Sequence, residues 1–255
     1  SLDQMLAVAR FLERHPRPMR FARELGIAGV DSKFIETHRR VLRDWLDQLL
    51  PAAHIDANVK GFAESGFERR YGLRYDEPLI RFRWLDPSRA WDGAIGDASI
   101  PLSDLARYAP ACGHVVVTEN KVSFLTLPTL ANGLAIFGAG YAIERLESVH
   151  WLRDRATWYW GDIDTHGFAI LSRLRTYLPN VRSLLMDRAT LHAHQSLWTE
   201  EPLDARSIVD LAGLDPDEAA LYDDLRQDRL GVRIRLEQER ITIAAVNGAI
   251  VDLAD

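Results

Sequence analysis

The first quarter of the chain has apolar positions spaced like those of amphipathic helices. Apolar residues recur at steps of three and four over residues 2–14 and again over residues 34–49. This period places them on one face of a helix, where they can be buried together. Asp31 or Ser32 is placed to cap the second helix, and Pro51 ends it. The pattern therefore predicts two helices in this part of the chain.

A different pattern follows at residues 79–84, where apolar and polar side chains alternate. Alternation of this kind is typical of a strand with one buried face. Two helices followed by a strand, with arginines on the exposed helix surface, are compatible with a winged-helix module. We therefore assign residues 1–100 to a winged-helix domain and expect its boundary in the stretch rich in Pro, Asp and Gly at residues 86–111.

From about residue 110 the pattern changes to short apolar runs that alternate with helical stretches. The runs cover residues 114–118, 134–137, 157–160 and 181–185, and the helical stretches cover residues 140–152 and 166–178. Apolar runs without polar alternation are typical of strands buried on both faces of a parallel sheet. Strands that alternate with helices predict an α/β fold with right-handed crossovers, which we place at residues 101–255.

Composition narrows the class of protein. Hydrophobic residues make up 47% of the chain and charged residues 27%, values that are typical of a globular protein. No apolar run reaches the roughly 18–20 residues that a membrane span needs, and no signal peptide is visible. The lone Cys112 excludes a zinc site built from cysteines and fits a reducing compartment. We therefore expect a cytoplasmic protein with no membrane partner.

The net charge of −6 is distributed unevenly. Residues 1–90 hold 16 Lys and Arg against 13 Asp and Glu, whereas residues 91–255 hold 15 against 24. Acidic chains ordinarily bind DNA poorly, because affinity for DNA comes mostly from cations that meet phosphates. Carboxylates gathered around a divalent cation also make a region acidic, and the bound ion reverses that sign. The C-terminal part is therefore expected to bind DNA weakly unless a metal or a partner is present.

Acidic residues follow two of the predicted strands. Glu119 comes directly after the first strand, and Asp162 and Asp164 come after the third. Functional residues of open α/β sheets gather where parallel strands end, so these side chains are expected to meet. Carboxylate oxygens suit Mg²⁺ or Mn²⁺. Taken singly, each acid is ordinary, since Asp164 or Thr165 can simply cap the next helix; taken together, the three predict a divalent-metal site.

The order of these acids resembles a known family. A glutamate followed 43 residues later by Asp-x-Asp-x-x-Gly is similar to the Toprim domain of topoisomerases, primases and related nucleases. In that family the glutamate acts in acid–base chemistry or binds metal, and the two aspartates hold the metal. Longer phrases resemble the C-terminal part of the JetD family, the nuclease subunits of bacterial Wadjet anti-plasmid systems. These phrases are residues 24–36, 67–74, 80–86, 118–121, 160–168 and 236–240.

The resemblance implies a fold, an activity and partners. It implies a winged-helix (CAP-like) domain followed by a Rossmann-like Toprim sheet flanked by helices, similar to the A subunit of type IIB topoisomerases. It implies a metal-dependent endonuclease that hydrolyses double-stranded plasmid DNA as the effector of a condensin-like SMC ATPase complex. Two active sites are needed to cut both strands, so we expect a homodimer. Members of the family extend further at the N-terminus, so we expect this chain to be part of a longer protein.

Carried over residue by residue, Glu119, Asp162 and Asp164 match the metal-binding triad. Lys121 has the neighbourhood of a phosphate contact, with a solvent-exposed strand-end lysine as the alternative. His166 is a candidate for assisting proton transfer, because imidazole side chains exchange protons near neutral pH, with a local hydrogen-bonding role as the alternative.

Two further acids, Glu237 and Glu239, are candidate metal ligands whose role depends on the local structure. If their segment is a strand, they share a face and reach the metals; if it is a helix, they diverge. Six arginines are candidates for contacts to the DNA backbone, which would carry no sequence information. They are Arg39, Arg40, Arg43, Arg69, Arg70 and Arg74.

Two alternatives to hydrolysis stay open at this point. The topoisomerase relatives use a tyrosine as a covalent nucleophile, and Tyr71 and Tyr75 are the only tyrosines before residue 100. The context of Tyr71 differs from that of the relatives, so we expect its ring to be packed and its hydroxyl to be hydrogen-bonded. The first alternative is thus a transesterase that acts through a tyrosine. The second is a catalytically silent module that binds DNA and recruits partners.

Overall fold

The computed structural model describes residues 2–138 and 142–253, and the chain divides into two compact units. The first covers Ser1–Glu77 and is called the helical unit here; the second covers Pro78–Asp255 and is called the sheet unit. This division falls between Glu77 and Pro78, whereas the sequence-based prediction places the boundary near residue 100.

The helical unit is built from the two predicted helices and a short third one. They are α1 (Leu2–Arg14), α2 (Ser32–Leu49) and α3 (Gly66–Tyr71). The Asp31 carboxylate caps α2 by accepting a hydrogen bond from the backbone N–H of Phe34 at 2.8 Å. Leu12, Leu42 and Leu46 are fully buried in the core of this unit. Residues 2–77 contain no strand, so the winged-helix prediction is not confirmed.

The sheet unit contains eight strands and seven helices within the described residues. The strands are β1 (Leu79–Trp84), β2 (Asp97–Pro101), β3 (His114–Thr118), β4 (Gly133–Phe137), β5 (Ala156–Trp160), β6 (Arg182–Ser183), β7 (Thr199–Glu200) and β8 (Ile234–Arg235). The helices are α4 (Leu102–Tyr108), α5 (Lys121–Thr126), α6 (Ala142–Arg145), α7 (Thr165–Tyr177), α8 (Arg188–Ala193), α9 (Pro216–Arg226) and α10 (Ile243–Asp252).

Six of the strands form one sheet in the order β2-β1-β4-β3-β5-β6. β4, β3, β5 and β6 run parallel, whereas β1 is antiparallel to both of its neighbours. The α/β class with a mostly parallel sheet flanked by helices is therefore confirmed. The run at residues 181–185 contributes only a two-residue strand. The helix expected at residues 140–152 begins outside the described residues and continues as α6 and two 3₁₀ turns.

The strand predicted at residues 79–84 is confirmed but belongs to this sheet. Its alternating face buries Ile80, Phe82 and Trp84 in the core of the sheet unit. Arg81 of β1 pairs with Phe137 of β4. Alternation reveals which side chains of a strand are buried, but it does not reveal which sheet buries them. The pattern of β1 therefore does not indicate that its partner in the sheet is β4.

A second, two-stranded sheet pairs β7 with β8 and lies close to the parallel sheet. The residue after β8, Leu236, forms an antiparallel bridge with Ile163, through hydrogen bonds of 2.9 and 3.1 Å in the two directions. This bridge brings a late part of the chain to the ends of the parallel strands. None of the helices formed by the described residues has both the length and the apolar content that a bilayer crossing requires.

Candidate active site

The ends of β3 and β5 bring two of the predicted acids to one edge of the sheet. The two strands are parallel neighbours in which Thr118 is paired with Trp160. Glu119 follows Thr118 directly, and Asp162 lies two residues after Trp160. Because paired residues of parallel strands lie side by side, the carboxylates that follow them emerge at the same edge. The structure thus brings Glu119 and Asp162 to the edge of the sheet at which the sequence predicts that these acids meet.

Asp164 is held at the N-terminus of α7. Its carboxylate accepts a hydrogen bond of 2.7 Å from the backbone N–H of Gly167, so it caps the helix as predicted. A Cβ atom on Gly167 would collide with the carbonyl oxygen of Asp162. This close approach explains why the Asp-x-Asp-x-x-Gly pattern ends in glycine, because any side chain at this position would push the turn away from the helix.

Glu119 is fixed by a buried tyrosine. The Tyr159 hydroxyl donates a short hydrogen bond to Glu119 Oε1, and Tyr159 is completely buried. Gly161 leaves room for that hydroxyl, because a Cβ atom at this position would strike it. Burial raises the pKa of the Glu119 carboxyl, the hydrogen bond from Tyr159 opposes the shift, and the charge of Asp162 adds to it. Glu119 is therefore a more basic carboxylate than an exposed glutamate.

The pKa of Asp164 is also shifted upward. Burial raises it to about 7, against the hydrogen bond from Gly167 that lowers it. The negative charges of Glu201 and Asp162 raise it further, and Arg235 lowers it. A carboxyl with a pKa near neutrality exchanges its proton in the physiological range, as groups at functional sites often do.

Because the pKa of Asp164 differs between the folded and the unfolded chain, the free energy of unfolding depends on pH. The folded-state pKa of about 7 lies above the ordinary value of 3.8, so the folded chain keeps a proton that the unfolded chain releases. The stabilisation from this carboxyl is complete below about pH 4 and is lost as the pH rises to 7. Metal-free Asp164→Asn, which stays neutral, should therefore become more stable than wild type by up to about 4 kcal/mol across this range.

Urea unfolding in EDTA at a series of pH values measures this difference. Asp31→Asn is the matched control, because it makes the same change at the exposed N-cap of α2. A difference between wild type and Asp164→Asn that stays constant from pH 4 to pH 7 would contradict the assignment. An equal change in the Asp31→Asn control would contradict it as well.

Arg235, which was not among the predicted site residues, binds both aspartates. Its Nε and Nη2 donate to Asp162 Oδ2 at 3.1 and 2.6 Å, and its Nε lies 3.3 Å from Asp164 Oδ2. The backbone N–H of Gln238 donates to the other oxygen of Asp162 at 2.8 Å. The bridge between Ile163 and Leu236 places Arg235 here.

Glu201 is a second site residue that sequence reasoning missed. Its carboxylate is fully buried and accepts hydrogen bonds from Thr165 Oγ1 at 2.7 and 2.8 Å and from the backbone N–H of His166 at 2.9 Å. An anion at the N-terminus of α7 is favoured by the free N–H groups and the dipole of the helix. No local pattern around Glu201 could have indicated this role, because its partners lie more than 30 residues away.

A cavity of about 320 Å³ lies at the ends of β3 and β5, and Glu201 lies behind its wall rather than in the lining. It is lined by Glu119, Asn120, Asp162, Asp164, His166, Gly167, Pro202, Ala205, Arg235 and Gln238. Four of the predicted site residues are thus brought together, and His166 is the exposed one among them. A carboxylate pair, a more basic glutamate and an imidazole around one cavity provide ligands for a cation and groups that accept or donate protons.

Three other predicted site residues do not line this cavity. Lys121 is exposed at the start of α5. Glu237 pairs with Arg240 at 2.7 Å and with Arg235 at 3.4 Å, and Glu239 accepts a hydrogen bond from Asn120 at 2.9 Å. The segment is neither of the alternatives considered, since β8 ends at Arg235 and a 3₁₀ turn follows over Gln238–Arg240. The two glutamates therefore point to different partners.

The side chains that line the cavity are suitable ligands for a divalent cation, but in this structure Arg235 occupies the place that such a cation would take. Glu119, Asp162 and Asp164 supply the oxygen donors that Mg²⁺ and Mn²⁺ prefer. Among the described residues, however, no three His, Cys, Asp or Glu side chains are gathered closely enough to hold a metal ion as they stand. The guanidinium of Arg235 lies on two of the three predicted ligands instead.

The candidate DNA-contact arginines of the helical unit differ in how free they are. Arg40 is exposed, Arg74 is exposed with its guanidinium 4.7 Å from the centre of the Phe21 ring, and Arg69 is exposed beside Glu64 at 3.8 Å. Arg39 and Arg43 lie over the ring of Phe62 at 5.2 and 5.1 Å. Cations stacked on an aromatic ring are held at the surface without being buried.

Arg70, another of the arginines predicted to contact DNA, is held by partners within the helical unit. It donates to both carboxylate oxygens of Asp47 at 2.8 and 2.9 Å and to the carbonyl oxygens of Asp56 and Val59 at 3.1 and 2.9 Å. The Tyr71 hydroxyl donates to the same Asp47 at 2.7 Å. With its donors directed at these four groups, Arg70 ties α2 to α3 and is not available to a phosphate.

Tyr71 is packed as the sequence predicts. It is 1% exposed, and burial together with the hydrogen bond and charge of Asp47 raises the pKa of its hydroxyl. A tyrosine needs an accessible and ionisable hydroxyl to attack a phosphate, so this environment is unfavourable for a nucleophile. Tyr75 is half-buried.

The fold and the site define an α/β protein with an acidic cavity where two parallel strands end. Residues 72–250 match the family described as Wadjet protein JetD, C-terminal. The chain therefore belongs to this family, whose members are components of the Wadjet defence system, as the motifs of the sequence indicated. Residues 1–47 match a second family, described as the N-terminal part of an uncharacterised protein conserved in bacteria. A search of curated proteins found no match.

Proposed function

We propose that this chain is the divalent-metal-dependent DNA endonuclease of a Wadjet defence complex and cuts plasmid DNA by hydrolysis. The proposal is carried by one observation: Glu119, Asp162 and Asp164 line the same cavity at the ends of β3 and β5. Membership of the JetD family supports a role in plasmid defence.

The proposed cofactor is Mg²⁺ or Mn²⁺, and Asp162, Asp164 and Glu119 are the residues that would hold it. When bound, such an ion stabilises negative charge on phosphoryl oxygens and lowers the pKa of a water molecule. We do not assign Glu237 or Glu239 to this set, because both are engaged outside the cavity.

The protein side chains supply positioning and proton transfer. Glu119 is the proposed general base, since its raised pKa lets it accept a proton from the attacking water more readily than an exposed glutamate. The Tyr159 hydroxyl keeps one Glu119 oxygen in place and leaves the other available. His166 is exposed on the cavity wall, where it can donate a proton to the leaving oxygen.

The remaining partners are proposed from family membership and from the charges. Five arginines of the helical unit are proposed to contact the phosphates of double-stranded DNA without reading its sequence. They are Arg39, Arg40, Arg43, Arg69 and Arg74. A condensin-like SMC ATPase complex is the proposed partner that delivers plasmid DNA. We propose a homodimer, because cutting both strands needs two active sites.

Incubation with supercoiled plasmid in Mg²⁺, Mn²⁺ or EDTA tests this proposal. We expect nicked and linear DNA only with a divalent ion and no protein attached to the ends. Tyr71→Phe should cleave like wild type and lose about 1–3 kcal/mol of stability, because the hydrogen bond to the Asp47 carboxylate is removed. A covalent protein–DNA adduct that disappears in Tyr71→Phe would replace hydrolysis with transesterification.

Metal binding separates the enzyme from a silent recruitment module. The affinity for Mn²⁺, measured by the electron paramagnetic resonance signal of the free ion, should fall at least about tenfold in Asp162→Ala, or about 1.4 kcal/mol. If wild type and Asp162→Ala bind Mn²⁺ equally and neither cleaves plasmid, the chain is a DNA-binding module and the nuclease proposal fails.

A further inference from the structure

We propose that Arg235 is an exchangeable counter-cation, which neutralises Asp162 and Asp164 in the metal-free chain and turns to a DNA phosphate when a divalent ion takes its place. The inference rests on the proposed nuclease function and assigns Arg235 a role in coupling metal binding to DNA binding. Three features of the site carry it: the charge of the cavity, the partners of Arg235 and the way its backbone is held.

The charge of the cavity makes Arg235 the group with which a metal competes. Of the described residues that line the cavity, Arg235 is the only Lys or Arg, and the same lining holds three carboxylates, two of which it contacts. Its guanidinium is directed at the oxygen atoms that a divalent ion would need. A cation of charge +2 and a guanidinium cannot share these oxygens at close range, because their charges repel each other. Binding of one therefore requires release of the other.

The partners of Arg235 differ from those of the structural arginines in this chain. Arg70 binds Asp47 and also two backbone carbonyl oxygens. Arg175 binds Glu218 and also the carbonyl oxygens of Val181 and Gly213 at 2.7 and 2.8 Å.

Those carbonyl contacts fix a guanidinium from several sides. The hydrogen bonds and ion pairs that the structure shows for Arg235 go to the carboxylates of Asp162, Asp164 and Glu237. Asp162 and Asp164 line the cavity, so a cation entering it would replace the contacts to these two, whereas the ion pair with Glu237, which lies outside the lining, can persist. The side-chain contacts shown for Arg235 are thus all to charged groups.

The backbone of Arg235 is held independently of its side chain. Leu236 is hydrogen-bonded to Ile163 in both directions, and β8 pairs with β7. The side chains of Arg235 and Asp162 are 24% and 21% exposed, so both are reached from the cavity without unfolding. When its carboxylate contacts are replaced, the guanidinium stays beside the cavity and presents its planar set of donors to it. Such a set matches the oxygens of a phosphate.

The proposal predicts effects of opposite sign for the variant Arg235→Gln. Without DNA, its affinity for Mn²⁺ should rise about tenfold, because the competing cation is gone. In the presence of Ca²⁺, the affinity of the variant for a short DNA duplex should fall about tenfold, because a charge-assisted contact to phosphate is lost. A residue that served only to hold the fold would not strengthen metal binding while weakening DNA binding.

Electron paramagnetic resonance of free Mn²⁺ measures the first effect, and fluorescence anisotropy of a labelled duplex in Ca²⁺ and in EDTA measures the second. Displacement of Mn²⁺ by Ca²⁺ verifies that Ca²⁺ occupies the site. Arg233→Gln is the matched control, because it removes the same charge two residues away and Arg233 does not line the cavity. Its expected change in Mn²⁺ affinity is less than about twofold, because its side-chain partners, Glu200 and the carbonyl oxygen of Glu201, belong to residues that do not line the cavity.

Arg235→Lys keeps the test decisive if Arg235→Gln fails to fold. Lysine keeps the positive charge, so the affinity for Mn²⁺ should stay within about threefold of wild type. It lacks the planar set of donors of arginine, so the increase in DNA affinity that Ca²⁺ causes should be several-fold smaller than in wild type. A gain equal to that of wild type would overturn the proposal, as would unchanged or weaker Mn²⁺ binding in a folded Arg235→Gln. If wild type does not bind Mn²⁺ at all, it is the nuclease proposal that fails.

Discussion

Replacing Glu119 by glutamine is expected to lower metal-dependent plasmid cleavage by at least about 100-fold, which is the usual contribution of a general base. The amide has nearly the shape of the carboxylate but cannot accept a proton from water. Its Oε1 atom can still receive the Tyr159 hydroxyl that binds Glu119, so the local structure should be preserved. The initial rate of conversion of supercoiled plasmid to nicked and linear forms measures the effect.

Glu147→Gln serves as the control, because Glu147 is an exposed glutamate of the same unit away from the cavity. It should cleave at the rate of wild type. Cleavage by Glu119→Gln within a few-fold of wild type would show that another group accepts the proton. In that case His166, a protonatable side chain of the cavity wall that is not proposed as a metal ligand, would be the first to examine.

The second large effect concerns stability. Leu171→Ala should lower the free energy of unfolding by about 2–5 kcal/mol, because deleting a buried isobutyl group removes apolar contacts and leaves a cavity. Leu171 lies in α7 and is fully buried. Leu203→Ala makes the identical change at a side chain that is 73% exposed and should cost less than about 0.5 kcal/mol.

Urea unfolding followed by tryptophan fluorescence compares the two variants. Six of the seven tryptophans lie after residue 78, so the signal reports mainly on the sheet unit. Equal losses in Leu171→Ala and Leu203→Ala would contradict the burial of Leu171 in the core of the sheet unit. Because α7 carries Asp164 at its N-terminus, loosening this helix should also weaken Mn²⁺ binding.

Local patterns predicted the part of the site that depends on short stretches of chain. The apolar runs of β3 and β5 indicated parallel strands, and acids directly after them had to emerge at one edge. The cap formed by Asp164 and the role of Gly167 follow from neighbours within six residues. These features are visible in a sequence because the interactions that define them are close along the chain.

The features that were missed depend on partners far away in the sequence. Arg235 contacts Asp162, which lies 73 residues earlier in the chain, and no hydrophobic periodicity or sequence motif indicates that contact. Arg70 was grouped with surface arginines because its pattern does not reveal Asp47, 23 residues earlier. Neither the strand nor the helix considered for the segment of Glu237 and Glu239 is present, because a 3₁₀ turn forms there instead. A turn of three residues is too short to leave a periodic signal in the sequence.

The bridge between Ile163 and Leu236 has a consequence for the order in which the chain is made. A ribosome releases Glu119 and the two aspartates long before it reaches Arg235. The parallel strands can pair during synthesis, since domains fold from the N-terminal side as they emerge. The acids of the nascent protein therefore meet water and free cations first, and their own arginine reaches them only when translation of the sheet unit is nearly finished.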